Sequence, residues 1–411
     1  MEKGFPYMKL YQGELYWPSI SPEKRVYKPL KKDAECEVLI IGGGESGALC
    51  SFLLGEYDID TIVVEKNKIG NGVSAGNSGS LQFMSDKMLS DMIKEIGPEN
   101  AIYFYKLCQK ALDEIARITS QVEWSTGFER KHSLYFASNV KDLHNLKTEY
   151  ELLSKLGFPV TYMDKAEIQS KFPFSKPGAI YSLSAARFNP VKFCQAIIHE
   201  AAKKNVRVYE DTEVLKYDLT GKKLLFETSG GTIKANKVIF ASGFETLNYL
   251  NTKKISLTRT QIVVTNPIGE GEKWYENALI WETKRPYQYI RISDDHRLIL
   301  GGLDENETEP VNDNSELRKR SKKLVDSASE LFPNLELKID YEYNAVFATT
   351  FDGRPFIGEH PAYKNAYFLL GFGGNGTIYS MMGATILRDL ILYGYHPAAE
   401  IVKLGRSMKN K

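Results

Sequence analysis

The run EVLIIGGGESGALC constrains the fold of this chain more than any other stretch of its sequence. Four consecutive apolar residues lead directly into glycines spaced G-x-G-x-x-G. This pattern predicts a buried parallel strand, a tight turn and a helix whose free N–H groups point outward, which is a seat for a pyrophosphate. The cofactor contacts expected from this motif are Gly42, Gly44, Glu45, Ser46 and Gly47.

The residues after the motif predict a β-α-β unit, with strands at 37–41 and 61–64 and a helix over about 46–54. Glu65 ends the second strand, 18 residues after Gly47. A carboxylate at this place accepts hydrogen bonds from a ribose 2′-OH and repels a 2′-phosphate. Taken alone, the glycines could belong to a loop that needs positive φ. Glu65, taken alone, could be a solvated residue at the end of a strand. Their combination in one register favours a dinucleotide.

A second loop rich in Gly, Ser and Asn, IGNGVSAGNSGSL (69–81), favours FAD over NAD. Such a loop can pass along the pyrophosphate and cover an isoalloxazine ring, whereas an NAD enzyme has no evident need for it. A strand in 211–218 can lie beside the adenine, and KVIFASG (237–243) resembles the A-[ST]-G turn of flavoproteins. No second G-x-G-x-x-G follows, so electrons should enter from an organic substrate. The further expected contacts are Lys66, Gly72, Ser74, Asn77, Ser78, Gly79, Leu81, Val214, Ala241 and Gly243.

Composition excludes several other classes of function. The chain has 411 residues and a net charge of +1, so no global field favours nucleic acid or an anionic membrane. No apolar run approaches the roughly 20 residues of a spanning helix, and the N-terminus lacks the apolar core of a signal peptide. Four scattered cysteines predict buried free thiols, a cytoplasmic protein and no metal site.

The order of predicted elements indicates an α/β chain of several domains. Residues 1–33 read as a polar arm on the surface, 85–170 as mainly helical, and 206–243 as short strands with hairpins at Thr220-Gly221 and Gly230-Gly231. Helices are predicted at 315–332 and from about 377 to 393. We expect a discontinuous Rossmann-like FAD-binding domain (34–85, 188–255 and 340–411) and an inserted α+β substrate domain on a mixed sheet (86–187 and 256–339).

Several segments together resemble the D-amino-acid oxidase superfamily of FAD-dependent oxidoreductases. They are VLIIGGGESG, VVEKNKIGNGVSAGNSGSL, FNPVKFCQAI, KVIFASG, RLILGGLDE, TTFDGRPFIGEHP and YFLLGFGGNGTIYSMMGATILRDLIL, in family order over 34–395. The polar arm and YQYIRISDDHRLILGG are most similar to the branch of γ-glutamylputrescine oxidase, beside glycine and sarcosine oxidases. The resemblance implies oxidation of a C–N bond of an amine or amino acid to an imine, by hydride transfer to flavin N5. Either O2 or another acceptor would reoxidise the flavin.

The segment GFGGNGTIYS offers groups that can stabilise the negative charge of a reduced flavin. Glycines bring backbone amides close, and a helix is predicted to begin at about Thr377, with its positive dipole end toward the cofactor. A glycine-rich turn before a packed helix is the plainer interpretation. The expected contacts here are Gly373, Gly374, Asn375, Gly376 and Thr377. No catalytic side chain is assigned, because an amine that loses hydride needs no strong base.

Departures from the family pattern point to the cofactor link and the substrate. Ala345 stands where sarcosine oxidases carry the cysteine that tethers flavin, and GVSAGNSG lacks the histidine of other tethered members, so FAD should be bound without a covalent bond. Ile299 stands where sarcosine oxidase carries a lysine that assists the reaction with oxygen. The sequence therefore does not decide whether the enzyme is an oxidase or a dehydrogenase. Phe347 or Ala348 replaces an arginine that clamps substrate carboxylates, and Gln82 and Ile378 stand where basic residues are expected.

A small free amino acid should therefore be a poor substrate, and an amine with a polar, for example acylated, tail a better one. The tail is expected against the strand PYQYIRI, where alternate side chains share one face. Arg291 on that face has two other interpretations, a structural ion pair or a relocated carboxylate clamp. The predicted substrate contacts are Gln82, Tyr287, Tyr289, Arg291, Phe347 and Thr349. A non-catalytic flavin-binding protein and an NAD-dependent dehydrogenase stay as alternatives.

Overall fold

The computed structural model describes residues 9–23, 25–249 and 254–407 of the chain. The helices are α1 (Tyr16–Ser19), α2 (Glu45–Gly55), α3 (Leu89–Ile96), α4 (Pro98–Gln121), α5 (Leu143–Lys155), α6 (Lys165–Lys171), α7 (Pro190–Ala202), α8 (Asn314–Leu331), α9 (Gly376–Tyr393) and α10 (Ala399–Val402). The strands are β1 (Tyr11–Gly13), β2 (Ala34–Ile41), β3 (Thr61–Val64), β4 (Ser80–Gln82), β5 (Glu129–Phe136), β6 (Val160–Asp164), β7 (Gly178–Arg187), β8 (Val206–Tyr209), β9 (Val214–Asp218), β10 (Leu224–Thr228), β11 (Gly231–Phe240), β12 (Ile255–Pro267), β13 (Leu279–Glu282), β14 (Gln288–Ile292), β15 (Arg297–Glu305), β16 (Ile339–Thr350), β17 (Phe356–His360) and β18 (Tyr363–Leu370).

An eight-stranded sheet carries the glycine motif. Its main path runs β17-β18-β11-β2-β3-β8, and β9 and β10 extend it as hairpin strands beside β11. Strands β18, β11, β2, β3 and β8 are parallel to one another, and β2 is apolar and buried over residues 38–41. A parallel strand that is covered on both faces has a continuous apolar sequence, and this is why β2 could be predicted. Helix α2 packs against both α7 and α9 beside the sheet.

A ten-stranded mixed sheet forms the second layer. Its path is β1-β16-β12-β15-β14-β13-β5-β7-β4, with β6 beside β7. Most pairs are antiparallel, and β13 with β5 is parallel. Helix α8 packs on β12, β15 and β16. The predicted mixed α/β fold with two sheets is confirmed.

Predicted elements agree with observed ones where the pattern is local. The strand over 61–64, both hairpins around β10 and the two late helices are confirmed within one residue at most boundaries. The region 85–170 contains four helices but also β5 and β6, which the sequence analysis missed. Both strands are secured by pairing with β7, a contact between segments far apart in the chain. All four cysteines are buried free thiols, as predicted.

The N-terminal arm is not wholly a surface segment, because part of it is buried. Within its described residues, Tyr16 is 1% and Trp17 3% exposed. Strand β1 pairs with β16 at the edge of the ten-stranded sheet. Tyr16 and Trp17 are the buried residues of α1, and the polar residues and prolines around them gave no sign of this burial. Residues 1–8 and 24 of the predicted arm lie outside the described residues.

The predicted domain limits stay a prediction. Strands of the eight-stranded sheet come from 34–64, 206–240 and 356–370, and those of the ten-stranded sheet from 11–13, 80–82, 129–187, 255–305 and 339–350. Strand β16 falls in an interval assigned to the FAD-binding domain, yet it pairs in the other sheet. Of the helices in the described ranges, none has the length and apolar character needed to cross a membrane.

Candidate functional site

The turn between β2 and α2 is shaped by glycine. Gly42 has φ of 112°, and a Cβ atom there would lie 2.6 Å from the Ala241 carbonyl oxygen. A Cβ on Gly47 would lie 1.9 Å from the Gly42 carbonyl oxygen, so α2 approaches the turn too closely for any side chain. The first helical hydrogen bond of α2 runs from the Ala48 amide to Gly44. The earlier amides have no partner within the helix, and Gly44, Glu45 and Ser46 at its positive end line a cavity.

Glu65 lies at the end of β3 and joins the two parts of this turn. Its carboxylate accepts hydrogen bonds of 2.8 Å from the amides of Gly43 and Asn67. Burial raises the pKa of Glu65, and the two amide donors act in the opposite direction. Each carboxylate oxygen has a further lone pair, so the side chain can still accept from a ribose hydroxyl. Beside it, Lys66 forms a 2.6 Å ion pair with Glu245.

A buried polar cluster connects α2, the second glycine loop and α9. The Glu45 carboxylate accepts hydrogen bonds from the Asn77 amide at 2.9 Å and from the Thr377 hydroxyl. Burial raises the pKa of Glu45 to about 7, while the hydrogen bonds from Thr377 and Asn77 lower it. The Glu45 amide donates to the Ser74 hydroxyl at 3.1 Å. Two helix N-termini and the loop over 72–79 are thereby held in one arrangement.

These elements surround a first cavity of about 390 Å³. Its wall joins the turn after β2, the end of β3, the second glycine loop, the start of β9, the end of β11 and the start of α9. Residues predicted from the sequence that line it are Gly42, Gly44, Glu45, Ser46, Glu65, Lys66, Gly72, Ser74, Asn77, Val214, Ala241, Gly243 and Gly376. Residues that line it and were not predicted include Leu10, Asn71, Val73, Thr212, Glu213, Ser242, Glu245, Phe372 and Ser380.

A second cavity of about 160 Å³ adjoins the first. The two share Val73, Asn77, Gly243, Phe372 and Gly376 in their walls. Aromatic and aliphatic side chains from β12, β14, β16 and the loop before α9 line most of it. Besides the shared Asn77, Gly243 and Gly376, the predicted residues found in its wall are Ser78, Tyr287, Tyr289, Phe347, Gly373 and Gly374.

Other predicted site residues lie outside the walls of both cavities. Leu81 is buried in the core, and the Asn375 amide donates to the Met84 carbonyl at 3.1 Å. Gln82 pairs with Ala185 in the ten-stranded sheet, and the Thr349 hydroxyl lies 3.4 Å from that of Thr258. Gly47 and Gly79 allow close approaches of the backbone next to the first cavity. Thr377 donates to the Glu45 carboxylate in the polar cluster described above.

Arg291 is 1% exposed and lines a separate cavity with Tyr16 and Trp17. Its guanidinium donates to the carbonyls of Ser78 at 2.7 Å, Phe188 at 3.3 Å and Ile292 at 3.4 Å. It also stacks over the Trp17 ring at 5.1 Å. Through its bond to Ser78, Arg291 therefore holds the backbone of the loop over 72–79 from the side opposite the two cavities.

The second cavity contains a carboxylate that the sequence analysis missed, that of Asp304 near the end of β15. Burial raises the pKa of Asp304 to about 6, and a hydrogen bond donated by the Thr260 hydroxyl lowers it. The only available signal was an acidic residue in RLILGGLDE, beside the strand already suspected of binding substrate. Among the described residues, no Lys, Arg or His side chain lines this cavity.

The first cavity suits FAD in its chemistry. Its wall has the glycine cradle and helix end that a pyrophosphate requires, and Glu65 as an acceptor for ribose. Val73, Phe372 and the glycines at the boundary of the two cavities can hold the isoalloxazine ring, with the second cavity open to substrate. Ala345, at the position of a possible tether, lines the second cavity and offers no nucleophile.

Comparisons with known proteins agree with this architecture. Residues 37–390 match the DAO family, described as FAD dependent oxidoreductase. The chain is 23% identical over 389 residues to γ-glutamylputrescine oxidoreductase of Escherichia coli, covering 92% of this chain and 88% of that protein. It is 24% identical to a putative Rieske 2Fe-2S iron-sulfur protein of Bacillus subtilis, covering 96% of this chain and 75% of that one.

Solved structures show the same fold. Glycine oxidase from Geobacillus kaustophilus superimposes with a TM-score of 0.78 at 20% identity, covering 91% of this chain and 99% of that enzyme. L-proline dehydrogenase from P. horikoshii gives a TM-score of 0.76 at 19% identity, over 90% and 96% of the two chains. The family match decides between the cofactors left open by the glycine motif, and the cofactor is FAD. The chain belongs to the DAO family of FAD-dependent oxidoreductases, enzymes that act on amines or amino acids.

Proposed function

We propose that this enzyme oxidises the C–N bond of an amine, in preference to a small free amino acid, to the corresponding imine. FAD held in the first cavity would supply the acceptor for the hydride, at flavin N5. The imine then hydrolyses in water to a carbonyl compound and an amine or ammonia. FAD is bound without a covalent link, and O2 or another acceptor takes up the electrons.

The observation that carries this proposal is the composition of the second cavity. An α-amino acid brings a carboxylate, which costs several kcal/mol to desolvate unless a cation pairs with it. Among the described residues, no basic side chain lines the cavity, and its one charged group is the anionic Asp304. Phe347 and Ala348 occupy the wall where the family resemblance implies a carboxylate-binding arginine. A carboxylate would therefore be repelled here.

The chain's own residues supply the remaining requirements. Tyr287, Tyr289, Phe347 and Phe372 provide an apolar wall that excludes water from the reacting carbon. The N-terminus of α9 directs its positive dipole end toward the boundary of the two cavities. Developing negative charge at that boundary is stabilised by this end and by nearby backbone amides.

Anaerobic mixing tests the proposal. The FAD-loaded protein is mixed with a panel of primary and secondary amines, glycine, sarcosine and D-alanine, while the visible flavin absorbance is followed. Bleaching by amines, with no more than slow bleaching by the amino acids, is expected. Rapid bleaching by the amino acids would reverse the preference, and absence of bleaching by every compound would favour a non-catalytic flavin-binding protein. Peroxide formation in air separates an oxidase from a dehydrogenase.

A further inference from the structure

Asp304 is the one charged side chain in the wall of the second cavity, within the described part of the chain. It lies where β15 departs from regular strand geometry. Gly302 has φ of 139° and Leu303 has φ of 58°, and the pairing of β12 with β15 shifts between Arg259 and Gln261. A positive φ at a leucine is strained, and such strain is often retained at functional sites. The irregularity directs Asp304 into the cavity wall, beside Thr260 and Tyr287.

The nearby cations are committed to other groups. Arg320 and Arg259 both form ion pairs with Glu305, at 2.5 Å and 2.7 Å. Arg285 donates to backbone carbonyls and stacks 4.9 Å from the Tyr287 ring, outside the cavity wall. No ion pair of Asp304 with a described residue is within 4 Å. The cavity therefore presents a half-buried carboxylate together with the faces of Tyr287 and Tyr289, a combination that binds organic cations.

This carboxylate does not suit the nitrogen that is oxidised. That nitrogen must be neutral, because its lone pair forms the new C=N bond as hydride leaves the carbon. A facing carboxylate would stabilise the ammonium form instead. Asp304 lines only the second cavity and not the first. It therefore suits a second nitrogen of the same substrate, one that stays protonated throughout the reaction.

We infer that the substrate is a diamine or oligoamine whose non-reacting ammonium group pairs with Asp304 beside the rings of Tyr287 and Tyr289, whose centroids lie 6.3 Å apart. This inference rests on the proposed amine oxidation and adds a determinant of specificity to it. Asp304 acts by binding and orienting the substrate, so that one end of the chain is held while the other meets the flavin.

Binding to the dithionite-reduced holoenzyme tests the inference without turnover, because a reduced flavin cannot accept hydride. Calorimetry under nitrogen at pH 8 compares 1,3-diaminopropane, 1,4-diaminobutane and 1,5-diaminopentane with the monoamines of the same length. At least one diamine should bind about ten- to a hundredfold tighter than its monoamine, the effect of one charge-assisted contact. Asp304→Asn should remove that advantage, and a monoamine, which is also an ammonium ion at pH 8, should lose less affinity than the diamine.

Two further variants make the result specific. Asp304→Glu keeps the charge and should retain part of the advantage, and Glu307→Gln removes an exposed charge on the same segment and should retain all of it. Equal binding of diamines and monoamines by the native protein, or an advantage that survives in Asp304→Asn, would overturn the inference. Failure of every amine to bleach the oxidised flavin would instead contradict the proposed function, and that result does not depend on Asp304.

Discussion

Glu65 shows how much a single residue could be anticipated. The sequence predicted its place at the end of β3, and the structure places it in the wall of the first cavity. Its hydrogen bonds to the amides of Gly43 and Asn67 were not predicted, since they depend on how the turn folds back. Glu65 therefore holds the turn, and we predict that it also faces the ribose.

Replacing Glu65 should separate these tasks. Glu65→Arg removes an acceptor and adds a cation, and should weaken FAD binding by about 1.5–3 kcal/mol. Glu65→Gln keeps an acceptor for the turn and should weaken it less. Dialysis followed by the flavin-to-protein absorbance ratio measures occupancy, and urea denaturation measures stability. Unchanged occupancy in Glu65→Arg would mean that this side chain does not face the ribose.

Glu45 should make the stability of the protein depend on pH. Its pKa is about 7 in the folded protein, against 4.5 for an ordinary glutamate. Between these values the native state holds the proton more tightly, so the free energy of unfolding falls as pH rises from about 4.5 to about 7. The loss reaches about 3 kcal/mol and persists at higher pH. Glu45→Gln should remove this part of the pH dependence.

Urea denaturation of the FAD-loaded protein at intervals from pH 5 to pH 8 checks the Glu45 prediction. The difference between the native protein and Glu45→Gln isolates this carboxyl from other titrating groups, and Glu307→Gln is the exposed control. Parallel stability curves for the native protein and Glu45→Gln would show that Glu45 does not titrate in this range.

At the scale of elements, prediction succeeded where one segment carries its own pattern. The apolar run of β2, the glycines after it and the period of α9 are readable within a dozen residues. Asp304 was missed because its direction depends on the irregular pairing of β15 with β12. Arg291 lies on β14 with Tyr289, yet it does not line the second cavity, and its guanidinium donates to the Ser78 and Phe188 carbonyls.

Helix α1 should contribute to cofactor binding through Trp17. Its indole N–H donates to the Asn77 carbonyl at 2.6 Å, and its ring packs under Arg291. Trp17→Ala should lower the free energy of unfolding by about 3 kcal/mol and raise the Kd for FAD, since the loop loses a support. Trp17→Phe keeps most of the packing and loses only the donor.

Urea denaturation and FAD titration followed by flavin fluorescence measure both effects of the Trp17 variants. For Trp17→Phe we expect a loss of about 1 kcal/mol in stability, with weaker FAD binding. An unchanged Kd for FAD in Trp17→Ala would show that α1 supports the fold alone.

At the scale of the whole molecule, the residues at the two cavities lead us to predict FAD without a covalent tether. Ala345 lines the second cavity, and the loop over 72–79 contains no His or Cys. Precipitation with acid should release all yellow colour into the supernatant as FAD. Colour that stays with the pellet would demonstrate a covalent bond.

The wall of the first cavity has a consequence for the synthesis of the protein. Its residues run from Leu10, through the β2 turn and β9, to Ser380 in α9. A chain still emerging from the ribosome cannot close this wall until the segment around residue 380 is free to fold. The complete wall therefore forms only after α9 has been synthesised and has packed against α2, so FAD meets its full set of contacts late in folding and not on an isolated β-α-β unit.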